Sequence, residues 1–544
     1  MKSTNPLKIR DPFAILRPNL NGRFTREANM VNVGQARLSV SDFEKVLYHG
    51  EEIQLDAAAL ENVDKNFTFL KSYSQNKIIY GINTGLGPMA QYKISDDDQR
   101  QLQYNLIRSH SSGAGQPMVE DLSRATMLAR LNSLMQGFSG IHPSAVTLLK
   151  DMLNKKITAC IFERGGVGAS GDLVQLAHLA LNLIGEGEVL SDGSLIDTKE
   201  VFSKHNVKAL EIHLREGLAL MNGTSAMTGV GMASIIHAQY LIGCSVVLSA
   251  ITNELMKSFD DHFSYELNHV KHHKGQSKIA EAMRYVLNDS KLIRKRPEHL
   301  YHRKIEEAIF TDKVQEYYSL RCVPQILGPV LDTLWEVQRV LEDEVNSVND
   351  NPVIDHVREN VYHGGNFHGD YVSLAMDKLK IVVAKLSMLS ERQLNYLLND
   401  KLNQKLSPFI NLGKLGLNFG LQGMQFTATS TVAENQTLSY PMYLHSISNN
   451  NDNQDIVSMG CNAALMARKV IDNSFDVLAI QTVALAQAID YLKCQSRLSS
   501  FANNFYHEVR AILGPVIEDQ PRYKDIQLIR KYLINLGATV KLQP

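Results

Sequence analysis

The chain is predicted to be mainly α, a long central helical bundle preceded by a loop-rich N-terminal part. Three observations predict this. First, apolar residues at helical spacing dominate after residue 170. Second, residues 371–400 contain no Gly or Pro, and Ala375, Leu379, Val382, Leu386 and Leu389 recur at alternating steps of four and three. That spacing puts them on one stripe, with Lys378, Lys380, Lys385 and Glu391 elsewhere. Third, residues 323–345 and 463–491 read as two more long helices. A run such as 371–400 spans roughly 45 Å at helical rise. Several rods of that length pack as a bundle, and their outer faces invite association between subunits.

The elements follow in order. Residues 1–35 are polar, with Arg10, Arg17, Arg23 and Arg26 among prolines and asparagines, and read as an irregular arm. They lack the apolar core of a secretory signal. Residues 36–200 are mixed: helical segments over 41–47 and 98–109 alternate with Gly-rich loops over 81–87 and 113–115. A β-prone run over 158–162 precedes a Gly-rich turn and a helix over 172–183. Residues 201–495 form the bundle, and 496–544 a helical appendage. Within the bundle, residues 217–253 hold no Asp, Glu, Lys or Arg. Asn222, Thr224, Ser225, Thr228, His237 and Gln239 interrupt the apolar run, so it reads as a helix buried on all sides rather than a membrane span.

Composition narrows the function. The chain has 544 residues and a formal net charge of −1, with no basic excess pointing to nucleic acid or anionic lipid. Five scattered cysteines, Cys160, Cys244, Cys322, Cys461 and Cys494, include no Cys-x-x-Cys pair and fit a reducing cytoplasm. The sequons at Asn66, Asn222, Asn288 and Asn435 carry no glycosylation meaning without secretion. His262, His269, His272 and His273 offer a metal reading, but neither acid nor Cys completes a site and lysines surround them, so no metal is expected.

The most informative segment is Gly165-Gly166-Val167-Gly168-Ala169-Ser170-Gly171-Asp172. The Gly171 nitrogen, free of a side chain, can attack the Ala169 carbonyl carbon. Loss of water from that ring and from Ser170 leaves a conjugated methylidene-imidazolone, an electrophile made from backbone. The neighbouring glycines permit the compressed dihedrals closure needs. The same tripeptide also fits an ordinary flexible loop. Gly166 to Gly171 also match the dinucleotide fingerprint G-x-G-x-x-G, with Glu186 near the usual ribose-binding distance. That fingerprint is specific only within a βαβ unit. No strand and helix alternation follows Glu188, so no nucleotide is expected.

Four further segments complete the pattern: Tyr80-Gly81-Ile82-Asn83-Thr84-Gly85-Leu86-Gly87; residues 216–224, Glu-Gly-Leu-Ala-Leu-Met-Asn-Gly-Thr; residues 314–325, Val-Gln-Glu-Tyr-Tyr-Ser-Leu-Arg-Cys-Val-Pro-Gln; and Asp350-Asn351-Pro352 with Gly364-Gly365-Asn366-Phe367-His368. With the Ala-Ser-Gly turn, in this order over about residues 36–500, the chain resembles the aromatic amino acid ammonia-lyases, the family of histidine, phenylalanine and tyrosine ammonia-lyases and related aminomutases. It looks closest to bacterial tyrosine ammonia-lyases. The resemblance implies a mainly helical, fumarase-like fold, homotetrameric, with active sites built from three subunits. It implies that Ala169-Ser170-Gly171 becomes 4-methylidene-imidazol-5-one, that Tyr80 is the base taking the β proton, and that Arg321 clamps the substrate carboxylate as a two-pronged donor. Tyr318, Gln315, Asn222 and Asn351 would orient the amine, the carboxylate and the imidazolone oxygens, and Phe367 would exclude water. Since free Tyr titrates near 10, Tyr80 needs nearby positive charge or hydrogen bonds to act as a base.

Two positions bear on the substrate ring. Ser109-His110 follows the helical run 101–108; histidine lyases have this Ser-His pair, whereas many tyrosine lyases have His-Leu and phenylalanine lyases Phe-Leu. Gln454 stands where histidine lyases have Glu and where phenylalanine and tyrosine lyases have Gln. A His accepts or donates a hydrogen bond to a phenol as readily as to an imidazole, so Gln454 is weighted more heavily. The expectation is elimination of ammonia from L-tyrosine to give trans-4-coumarate. Histidine to urocanate is the alternative, followed by phenylalanine or an aminomutase. Val174-Gln175 replace the family's usual Ala-Pro after the tripeptide, removing a φ restraint.

Overall fold

The charge-free stretch explains the architecture. Ser225–Leu255 is one helix of which only Gln239 is not buried. The expected single helix over 217–253 is two: Glu216–Met221 ends at Asn222, and Gly223-Thr224 precede the long one. Around Ser225–Leu255 pack Glu120–Met135, Val323–Val345, Asp370–Leu398, Gly460–Leu492 and Tyr523–Thr539. Gln422–Leu438 packs on Asp370–Leu398 and Gly460–Leu492. A computed structural model describes residues 30–34, 36–75, 77–301, 308–310 and 313–543. The expected arm over 1–35 falls almost wholly outside them; of it, Val31–Val33 is a strand pairing in parallel with Ile53–Leu55.

Burial on every side favours polar groups that pair with one another. Ser249, Gln393 and Gln481 join three long helices: the Gln393 Nε2 donates to Ser249 Oγ at 3.0 Å, and the Gln481 Nε2 to Gln393 Oε1 at 2.8 Å. Ser225–Leu255 and Gly460–Leu492 are long and apolar enough to cross a membrane, and most of each is buried in the bundle. The stripe on Asp370–Leu398 is wider than the expected one. Val382 is only half-buried, whereas Lys380, placed off the stripe, is buried with its Nζ 2.7 Å from Asp377 Oδ1. An i, i+3 partner lets a cation enter a face that spacing assigns to leucines.

The N-terminal part carries small sheets. Phe162–Arg164 pairs antiparallel with Ala114–Pro117, and Thr158–Ala159 antiparallel with Glu188–Ser191, itself paired with Ser194–Asp197. The strands flanking the Gly-rich turn are thus antiparallel, and Glu186 binds Arg108 at 2.7 Å. The turn therefore lies outside any βαβ unit, and the dinucleotide match has no structural support. His269 stacks on Tyr265 with centroids 4.7 Å apart, and His262 is buried near Asp261, apart from the shallow cavity that His269, His272 and His273 line with Lys271, Lys274 and Lys278.

Candidate active site

The Ala169-Ser170-Gly171 turn sits where helices begin. Asp172 immediately precedes Leu173–Leu183, and its Oδ2 accepts the Met227 N–H at 2.8 Å in the first turn of Ser225–Leu255. Gly369, just before Asp370–Leu398, donates its N–H to the Gly168 carbonyl at 3.1 Å. Met459, just before Gly460–Leu492, donates to the Val167 carbonyl at 2.9 Å. Helix N-termini carry roughly +0.5 of a charge each. Their convergence gives the turn a preset positive potential, suited to a site where negative charge develops. Burial pushes the Asp172 carboxyl up to about 7, against the N–H groups of Met227 and Ala226 that favour its ionised form.

The turn itself is braced backbone against backbone. Gly171 has φ +67, and a Cβ there would lie 2.0 Å from the Gly223 carbonyl oxygen, so only glycine fits. Asp172 N–H donates to the same oxygen at 2.8 Å. The missing Pro after the tripeptide is replaced by packing. A Cβ on Gly165 would lie 2.3 Å from Val174, one on Gly166 2.4 Å from the Gln175 Oε1, and Gln175 Nε2 donates to the Glu163 carbonyl at 3.3 Å.

A cavity of about 730 Å³ opens over the turn, and eight of the expected site residues line it: Tyr80, Ser109, His110, Ser170, Asn222, Asn351, Phe367 and Gln454. Ala169 and Gly171 are buried beneath. Gly87 N–H donates to the Tyr80 hydroxyl at 3.0 Å and holds the ring at the mouth of its Gly-rich loop. Gln454 Nε2 donates to Ser170 Oγ at 2.8 Å. Asn222 spends its Nδ2 on Asp350 Oδ1 (3.0 Å) and the Asn351 carbonyl (2.9 Å), which leaves its Oδ1 as an acceptor. Asn351 Oδ1 takes the Gly364 N–H at 2.8 Å, leaving its Nδ2 as a donor.

His110 Nδ1 lies 3.0 Å from the Leu106 carbonyl, an acceptor only, so Nδ1 is assigned the proton and Nε2 is the ring's acceptor. Residues not anticipated also line the cavity, among them Met89, Tyr92, Asn105, Leu106 and Leu218. Asn105 and Leu106 precede Ser109 by four and three on Gln99–His110, the spacing that shares a helix face.

Gln315, Tyr318 and Arg321 lie elsewhere on the chain. Gln315 and Tyr318 line a second cavity of about 670 Å³ that shares no residue with the first. Arg321 donates to Gln315 Oε1, and its guanidinium lies 4.7 Å from the Tyr318 ring centroid. It has no carboxylate within ion-pair reach among the described residues. A single chain therefore holds the expected constellation as two separated halves.

Asn222 owes its pose to a buried pair. Arg215 meets both Asp350 oxygens at 3.0 Å, with both side chains almost wholly buried. Asp350→Ala strands the guanidinium and is expected to lower stability by about 3–5 kcal/mol. The midpoint of unfolding in urea reads this; a midpoint equal to that of the unsubstituted chain would show that the pair holds nothing.

A bundle of long helices whose N-termini meet under a backbone turn, with a tyrosine and amides around a cavity, is the setting of an enzyme's active site. The chain belongs to the aromatic amino acid lyase family, whose profile matches residues 38–511. It is similar to a tyrosine 2,3-aminomutase of Myxococcus sp. (strain Mx-B0), 40% identical over 482 residues, covering 87% of this chain and 90% of that protein. It is also similar to a histidine ammonia-lyase of Bacillus velezensis, 37% identical over 505 residues, covering 93% and 96%. The crystal structure of a tyrosine aminomutase from Streptomyces globisporus superposes with a TM-score of 0.90 at 35% identity, covering 94% of this chain and 98% of that one. Members of the family use a methylidene-imidazolone that forms autocatalytically.

Proposed function

We propose that this enzyme eliminates ammonia from L-tyrosine to give trans-4-coumarate. The observation that carries this reading is the cavity bringing Ser170, Tyr80, His110 and Gln454 together. The residues fit the family's group: Ala169-Ser170-Gly171 has a glycine held at positive φ by Gly223 and a serine hydroxyl facing Gln454. When formed, that group supplies an electron sink that makes the substrate amine a better leaving group. Tyr80 takes the β proton. The His110 Nε2 accepts a hydrogen bond from the substrate ring, which a phenol or an imidazole can donate and a phenyl cannot. Gln454 is neutral, and among the described residues no carboxylate lines the cavity to suit a cationic imidazole.

Arg321, Tyr318 and Gln315 complete the site when a second copy docks them over the first cavity. Support comes from exposed apolar side chains on one stretch: Leu415, Leu417, Phe419, Phe426, Tyr440, Leu444, Ile447 and Ile456 are 60–72% exposed. Burying such a surface favours assembly, here a homotetramer. The second reading is a tyrosine 2,3-aminomutase, in which the amine returns at the β carbon; the 40% identity to the Myxococcus protein favours it.

Offering tyrosine, histidine and phenylalanine in parallel separates these readings. Tyrosine is expected to give the highest kcat/KM with 4-coumarate as the main product. His110→Leu is expected to narrow the preference for tyrosine over phenylalanine by about 10- to 100-fold, the worth of one buried hydrogen bond. β-Tyrosine in excess of 4-coumarate would establish the mutase, and a preference for histidine would overturn the weight placed on Gln454.

A further inference from the structure

We propose that Arg130 is a positioning residue for closure of the Ala169-Ser170-Gly171 ring, acting through Gly223; the role rests on the methylidene-imidazolone reading above. Arg130 lies on Glu120–Met135 and is fully buried. Among the described residues no carboxylate lies within ion-pair reach of it, and its Nε has no partner. Asp350 and Asp172 act on it only across space, without contact, and a buried guanidinium with no carboxylate in contact is costly and calls for a reason. Its bonds supply one. Nη2 donates to the Asn222 carbonyl at 3.0 Å and to the Ala219 carbonyl, and Nη1 reaches Asn349 Oδ1 at 3.4 Å. Asn349 in turn donates to Thr224 Oγ1 at 2.8 Å. The guanidinium thus grips the Asn222-Gly223-Thr224 turn from behind.

That turn presses on the tripeptide. A Cβ at Gly223 would lie 2.4 Å from Arg130 Nη1, and a Cβ at Gly171 would lie 2.0 Å from the Gly223 oxygen. Guanidinium, Gly223 and Gly171 are therefore stacked in contact, with no room for a side chain at either glycine. Gly171 cannot retreat toward Gly223, because Arg130 backs it.

Ring closure needs that constraint. The Gly171 nitrogen bonds to the Ala169 carbonyl carbon and passes its proton to the carbonyl oxygen. The resulting hydroxyl leaves as water with the Ser170 N–H proton, forming C=N. Ser170 then loses its Oγ and its Cα proton as a second water, forming the exocyclic C=C. The balance is two waters lost and no oxidant used. Before any bond forms, the backbone must hold a geometry the free chain avoids, which costs conformational freedom at three residues. A rigid cation behind Gly223 holds that geometry ready.

The test compares near-ultraviolet difference absorbance per chain, referenced to Ser170→Ala, for the full-length assembled enzyme and for Arg130→Met and Arg130→Lys. Most of the band is expected to disappear in Arg130→Met, with kcat down on the order of 10²-fold while helix content and assembly are unchanged. Arg130→Lys, which keeps the charge but lacks the planar fork that spans the Ala219, Asn222 and Asn349 oxygens, is expected to fall between. Should Arg130→Met fail to fold, Arg130→Lys decides alone: a wild-type band and kcat there overturn the role of Arg130. A missing band in the unsubstituted enzyme overturns the methylidene-imidazolone reading, and the role of Arg130 with it.

Discussion

Ser170→Ala is expected to abolish the near-ultraviolet band and to lower turnover at least about 10³-fold, some 4 kcal/mol of transition-state stabilisation. The reason is chemical. Without Oγ no water can leave from residue 170, so the exocyclic double bond cannot form, and the amine keeps its poor leaving character. The fold should be indifferent. Ser170 is half-buried, and its hydroxyl accepts one hydrogen bond, from Gln454 Nε2 at 2.8 Å. Losing that bond costs about 1 kcal/mol, too little to unfold a domain this size. Circular dichroism and sizing should therefore match the unsubstituted enzyme. Full activity in Ser170→Ala would remove the electrophile from the mechanism.

Tyr80→Phe should separate proton transfer from ring formation. Turnover is expected to fall by about 10²–10⁴-fold, the usual worth of a positioned general base, with the absorbance band intact. The band should survive because the bracing of the tripeptide comes from Gly223, Gly369 and Met459, none of which involves Tyr80. The phenol oxygen accepts its hydrogen bond from Gly87. A second arm tests the shared site. Tyr80→Phe and Arg321→Ala are each expected to be nearly inactive alone, since they cripple the two separated halves of the site. Co-assembled from a mixed refolding, some sites draw an intact Tyr80 from one copy and an intact Arg321 from another, and activity should partly return. No recovery in assembled mixtures would place both residues on the same protomer's site, against the separation of the two cavities.

The long helices were legible in the chain. Val323–Val345 coincides with the expected run, and Asp370–Leu398 and Gly460–Leu492 start and stop within three residues of theirs. Apolar spacing reports helical periodicity directly, so it finds rods. It misses what pairs across them. Lys380 falls off the apolar stripe by spacing, because the sequence displays its charge and not its partner Asp377. The stretch 217–253 looked continuous because composition does not mark where Asn222 and Gly223 interrupt it.

The site divides the same way. The residue types around the tripeptide announced an electrophile, because Ala-Ser-Gly can cyclise on chemical grounds that hold along the chain. What stands around it comes from distant segments. Gln454 reaches Ser170 across 284 positions, and Arg130 reaches Asn222 across 92. The sequence by itself determined the rods, the tripeptide and the kinds of side chain that serve it, since each depends on covalent chemistry or on spacing within one segment. Only the tertiary structure decided that helix N-termini converge on the turn, that Gly223 and Arg130 stand behind it, and that Arg321 lies apart from Tyr80. Those facts depend on how separate helices cross, and crossing is set by the packing of many side chains together rather than by any local pattern.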